Sequence, residues 1–249
     1  NSPSKEVNYW VYLAFKYHSN IKFYDFSNRL HHLCHISHSF YNSGFKNAIG
    51  VVIDGLGSGI FNENNPLLSI QETETIFYCS YPSNFKVLYK NFVKGKSINL
   101  SQIYEAITMH LGWSRNEAGK TMGLAPYGKY NSSLPNFLKG NKGNLDVFYK
   151  DYFKKTSNPA HTESFINEEN NPQLKLQRDP KEWHHDESKI TDLEKDLAWK
   201  VQNETQQLVG DYIEKAVKET GLKQVCCAGG YFLNCVTNYY LLKRFPDIE

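Results

Sequence analysis

Hydrophobic residues recur along this chain in two rhythms. Residues 7–18 (VNYWVYLAFKYH) are mostly apolar and predict a helix, and 21–26 (IKFYDF) alternate as a short strand would. A second helix is predicted from about residue 30, with Ser27 or Asn28 as its cap. Residues 48–54 form an apolar run closed by Asp54-Gly55, the pattern of a buried strand and a turn. Stretches 74–80 and 86–89 predict the next strands of a meander. Across 100–111, Ile103, Ile107 and Leu111 fall on one helical stripe, which Gly112 stops. The strongest pattern is 192–220, with Leu193, Leu197, Val201, Leu208, Tyr212, Ala216 and Val217 on or near one face and Gly221 at its end. Residues 225–228 predict a short strand running into Gly229-Gly230, and a helix continues from near Asn234 to Arg244. Between 129 and 190 the periodicity is weak and the composition polar, which predicts a long excursion over the surface. Strands interleaved with helices place the chain in the α/β class.

A chain of 249 residues is one large domain or two small lobes. Its 17 Tyr and 15 Phe are enough to furnish much of a core. A net charge of +2 makes no demand for nucleic acid or an acidic membrane as partner. The five Cys are odd in number, two are adjacent (Cys226 and Cys227), and no CxxC pair occurs, which suits a reduced cytoplasm. No signal peptide and no apolar run of about 18 residues is present, so a soluble protein without membrane contact is expected.

The chemistry concentrates in three places. His31 and His35 stand four apart, on one face of the predicted helix, where two imidazoles can share a metal ion. Asp54, at the end of the apolar strand, can supply a third ligand. His32 points off that face, as a supporting or a surface group; His38, one turn beyond His35, leaves a purely histidine site open, and Cys34 reads as core. The second place is Gly229-Gly230, where glycines after a strand let backbone approach a ligand and a helix start offers N–H groups to phosphate. Asn234 there is either a cap or a nucleotide contact. The third is 119–128, small and Gly-rich around Lys120, which lacks the P-loop spacing but can set a Lys against phosphate. His161, His184 and His185 read as surface residues of the excursion.

Together these segments resemble the O-carbamoyltransferases of the NodU/CmcH type. The resemblance rests on His31-His32-Leu33-Cys34-His35, Val51-Val52-Ile53-Asp54-Gly55, the stretch GKTMGLAPYG from Gly119 to Gly128, and Ala228-Gly229-Gly230-Tyr231-Phe232-Leu233-Asn234-Cys235. It implies an actin/sugar-kinase/Hsp70-like fold of two RNase-H-like lobes, incomplete at both ends. Residues 1–95 would be the remainder of the first lobe, and 96–249 the second, with the excursion at about 129–190. A YrdC-like domain, a partner expected in the full-length protein, would make carbamoyl-adenylate from carbamoyl phosphate and ATP. The domain resembled here would transfer the carbamoyl group to a hydroxyl of a small-molecule or glycan acceptor. A metal, iron(II) by the resemblance, would be held by His31, His35 and Asp54, with a further Asp expected after Glu249. Gly229, Gly230, Asn234, Lys120 and Gly123 would line the nucleotide side. Such a central piece is expected to be inactive alone. Tyr231 and Phe232 depart from the family's usual small residues, as does Ile36-Ser37-His38. Three alternatives stay open: a tRNA threonylcarbamoyladenosine-forming enzyme of the same fold, an ATP-binding or kinase-like module with structural histidines, and a non-catalytic remnant.

Overall fold

A computed structural model of the chain describes residues 30–55, 57–60, 70–94, 97–148, 166–176 and 189–249. The helix and strand predicted over 7–18 and 21–26, the caps Ser27 and Asn28, and His161, His184 and His185 lie outside these residues. The order of elements is α1 (His31–Ser43), β1 (Asn47–Ile53), β2 (Gly59–Ile60), β3 (Ile70–Ser80), β4 (Asn84–Lys94), α2 (Leu100–His110), α3 (Ala118–Leu124), the small hairpin β5 (Leu138–Lys139) and β6 (Lys142–Gly143), α4 (Asp192–Thr220), β7 (Val225–Ala228) and α5 (Cys235–Arg244).

Strands β1, β3 and β4 form an antiparallel meander, and β7 adds to β1 in parallel. The sheet runs β4–β3–β1–β7, with β2 paired to the first residues of β3. Ala48 through Ile53 are all buried, because helices cover both faces of the sheet. Ile49, Val51 and Ile53 face the main core with α2 and α4, whereas Ala48 and Val52 face Ile36 and Phe40 of α1. Gly50 lies beneath Ile36, where a Cβ would come within 2.6 Å of Ile36 Cδ1 and 2.9 Å of Cys79 Sγ. This close approach sets α1 along β1, so that the first turn of the helix lies at the strand end that Asp54 follows.

Three expectations change. A boundary at 95/96 does not separate two cores: Ile49, Val51 and Ile53 share one cluster with Ile103, Ile107, Leu197 and Val201. The physical reason is that β7, late in the chain, supplies the partner for the free edge of β1. Nor do the described parts of 129–190 simply ride the surface, since Leu134, Phe137, Val147, Phe148, Ile166 and Leu174 are buried in that same core. Acidic residues about two turns apart on α4 hold this irregular chain. Asp196 accepts from Lys129 N and Asn131 Nδ2, and Glu204 Oε2 accepts from the backbone of Phe137 and Leu138 at 2.9 Å each. Finally, the Gly-rich stretch 119–128, which suggests a Lys in a small-residue turn, is helix α3 followed by a 3-10 turn, Ala125–Tyr127, with Pro126 in its first positions. Gly128 packs on α4, where a Cβ would fall inside contact distance of the Lys195 backbone and 2.8 Å from Trp199 Cβ.

The long helix α4 begins in a capping box between Thr191 and Glu194 and ends at Gly221 in the left-handed conformation, φ 70°. No helix among the described residues is long and apolar enough to cross a membrane.

Candidate metal centre

Helix α1 carries His31 and His35 on successive turns, and Asp54 leaves the end of β1 toward them. His31 Nε2 lies 2.8 Å from Asp54 Oδ2, His35 Nε2 lies 3.1 Å from His31 Nε2, and His35 Nε2 lies 3.5 Å from Asp54 Oδ2. Two neighbouring ligands bound at about 2.1 Å to one ion stand about 3.0 Å apart at right angles and about 3.4 Å apart in a tetrahedron. The observed separations of 2.8, 3.1 and 3.5 Å lie within about 0.2 Å of that range, so the donor set fits a divalent metal with only small adjustments. Two imidazoles and one carboxylate on one side of a cation is also the pattern that suits iron(II) with open positions. The His31 and His35 side chains are 41% and 36% exposed, which leaves room for further ligands. His38 is exposed and outside the group of three.

Asp54 divides its two oxygens. Oδ1 accepts from Gly230 N at 3.3 Å, while Oδ2 faces the histidines. Burial pushes the Asp54 carboxyl up; the hydrogen bond from His31 and the backbone N–H groups of Gly55 and Gly230 outweigh it, holding the group below the usual carboxylate range. An ionised carboxylate is what a cation requires.

The Gly229-Gly230 turn is built tightly against this carboxylate. Gly229 has φ 97° and ψ 162°, a conformation that essentially only glycine adopts. Its α-carbon packs on the end of β1, where a Cβ would lie inside contact distance of the Ile53 carbonyl oxygen. Asn234 caps α5, accepting from Thr237 N at 2.9 Å, and its amide donates to Gln202 Oε1 at 2.8 Å. Its side chain is therefore engaged in structure. Beyond Asp54 opens a cavity of about 540 Å³ lined by Gly230, Asn234, Gly119, Met122, Arg115 and Glu105, among others. Lys120 and Gly123 do not line it; Lys120 pairs instead with Glu117, one turn away on its own helix. The cation at the cavity is Arg115, whose Nε lies 2.9 Å from Glu105 Oε2. Sequence reading passed over both. Glu105 sits one turn after Ser101 on α2 and two residues from the apolar stripe, a placement recognisable only once the helix is docked. On the other side of the histidines, a groove of about 990 Å³ runs between α1 and β7, past Cys34, Ser39, Cys226 and Cys227. Burial pushes the Cys227 thiol up to about 12, so it is protonated and no ready metal ligand.

His32, turned from the metal-facing side, is buried, with Nδ1 2.8 Å from Thr75 Oγ1. Burial pushes its imidazole down to about 4, against the pull of Glu72.

A family model described as carbamoyltransferase N-terminus matches residues 8–248. Among curated proteins, an uncharacterized protein of Methanocaldococcus jannaschii is 28% identical over 225 residues, covering 88% of this chain and 33% of the relative. An uncharacterized protein of a Synechocystis species is 28% identical over 235 residues, covering 88% of this chain and 32% of the relative. The chain thus spans about a third of the length of these curated relatives.

Proposed function

The chain belongs to the carbamoyltransferase family, and from that premise we propose that it carries the metal-bearing part of an enzyme that moves a carbamoyl group from carbamoyl-adenylate to a hydroxyl of a small-molecule or glycan acceptor. The observation that carries this reading is the shared carboxylate: Asp54 faces the two histidines with one oxygen and the glycine turn beside the cavity with the other. On this reading the adenylate lies in the 540 Å³ cavity, which Asp54 lines on the side of the two histidines. A meander whose first strand takes a parallel partner after a helix supports the actin/sugar-kinase-like fold class. The adenylate itself would come from a YrdC-like domain elsewhere in the full-length protein.

Iron(II), when bound, would polarise the carbamoyl carbonyl and stabilise the oxyanion of the transition state, an effect of several kcal/mol. His31, His35 and Asp54 would hold the ion, with His31 Nε2, His35 Nε2 and Asp54 Oδ2 facing one another. The N–H groups of Gly55 and Gly230 keep Asp54 oriented and ionised. Glu105 keeps the Arg115 guanidinium fixed at the cavity, where it can meet an anionic oxygen of the nucleotide.

Calorimetry with AMP and with a sulfamoyl analogue of carbamoyl-adenylate tests the reading on metal-loaded protein. Gly119→Phe blocks the cavity, and nothing lies within 4 Å of a Cβ at that position. The expected result is that both ligands bind the parent chain, the analogue more tightly, and neither binds Gly119→Phe. Equal binding to the two proteins would place the nucleotide elsewhere.

A further inference from the structure

Among the described residues, the start of α1 has no local side-chain cap. Leu30 occupies the N-cap position and makes no side-chain hydrogen bond to the helix. Two free N–H groups of the first turn, those of His31 and His32, are met from across the fold. His31 N donates to Ser58 Oγ at 3.1 Å, and His32 N donates to Glu72 Oε1 at 3.4 Å. The same Glu72 oxygen accepts from Ser58 N at 3.0 Å. The Glu72 backbone also grips the loop after β1, through Gly57 N to Glu72 O at 2.9 Å and Glu72 N to Ser58 O at 3.0 Å. Gly57 has to be small for this, since a Cβ there would lie 2.6 Å from His32 Nε2.

Glu72 therefore joins the two elements that furnish the candidate ligands, the helix of His31 and His35 and the loop that leaves Asp54. Its side chain is only 3% exposed, and Lys90 Nζ meets the second oxygen at 2.7 Å. A buried carboxylate at a helix N-terminus is favoured by the helix dipole and the free N–H groups. The shift in pairing between β3 and β4 at Glu72/Glu74 falls at this point. A bulge of this kind redirects side chains.

We propose that Glu72, braced by Lys90, is a positioning residue of the metal centre: it caps the histidine helix from across the sheet and holds His31 in register with Asp54. The proposal rests on the reading of His31, His35 and Asp54 as metal ligands. Loss of a group that orients ligands lowers metal affinity by about 10- to 100-fold.

Cobalt(II) titration followed by visible absorption tests it, because the bands of bound cobalt report ligand geometry. Glu72→Ala is expected to weaken cobalt binding at least about tenfold and to shift the bands. Glu72→Gln, which keeps an oxygen acceptor for the N–H groups, is expected to retain the parent spectrum. Ser58→Ala, which removes the acceptor for His31 N without stranding a charge, shows the same loss in milder form and serves if Glu72→Ala does not fold. Val147→Ala, a buried change in the main core on the irregular segment held by α4, controls for general destabilisation. Parent protein that takes up no cobalt, or His35→Ala that binds like the parent, defeats the metal reading and the proposal with it. With those controls in order, Glu72→Ala and Ser58→Ala indistinguishable from the parent, or no different from Val147→Ala, overturns the positioning role alone.

Discussion

Replacing Gly229 with Ala probes the joint between the sheet and the glycine turn. Two penalties add. The backbone at φ 97° and ψ 162° costs an L-residue about 1–3 kcal/mol. The new methyl group also meets the Ile53 backbone, with the carbonyl carbon at 2.8 Å, and relieving that overlap costs about 1–3 kcal/mol more. The expected destabilisation is about 2–6 kcal/mol in urea unfolding, with a lower melting temperature. Gly123→Ala is the matched control. It lies in α3 with nothing within 4 Å of a Cβ, so it is expected to stabilise by about 0.5–1 kcal/mol. Because relief of the overlap moves Ile53, it also moves Asp54, and cobalt affinity should fall in Gly229→Ala but not in Gly123→Ala. A Gly229→Ala protein within about 1 kcal/mol of the parent would refute the reasoning.

Three further outcomes are expected. His32 has an unfolded pKa of 6.5 and a folded value of about 4, so the unfolded chain binds the extra proton first. The stability it leaves intact is present above pH 6.5 and drains as pH falls toward 4, by up to about 3 kcal/mol; His32→Asn should flatten that limb of an unfolding-versus-pH curve. Asn234→Ala should lower stability by about 1–2 kcal/mol in urea unfolding, through loss of the α5 cap and of the bond to Gln202. Arg115→Ala should weaken AMP binding at least about fivefold without altering cobalt affinity, since Arg115 lines the cavity and not the metal group.

Local signals carried much of the architecture. The apolar stripe of α4 with Gly221 at its end, the apolar run of β1 and the glycine turn before α5 were all readable because each is decided within a few residues. The pairing of His31 with His35 follows from helical spacing, and Asp54 from the end of a strand. What escaped was decided at long range. β7 completes the edge of β1 from about 175 residues away, as the Ile49↔Val225 pairing shows, and no local pattern announces it. Three glycines and a proline in 119–128 suggested a small-residue turn, yet packing on α4 makes α3 a helix. The hydrophobic residues that anchor 129–148 have no period, because Asp196 and Glu204 hold that chain by its backbone. Lys120 was chosen over Arg115 by motif, whereas its partner Glu117 lies on its own helix. Glu72 was silent in sequence because it caps a helix 40 residues away.

The most direct test of the central claim is anaerobic titration of the purified chain with iron(II), parent beside His31→Ala, His35→Ala and Asp54→Asn, with bound metal counted per chain. One iron per chain in the parent, and loss of binding in each variant, is the expected result. Binding that survives all three substitutions, or a parent that binds none, would contradict it.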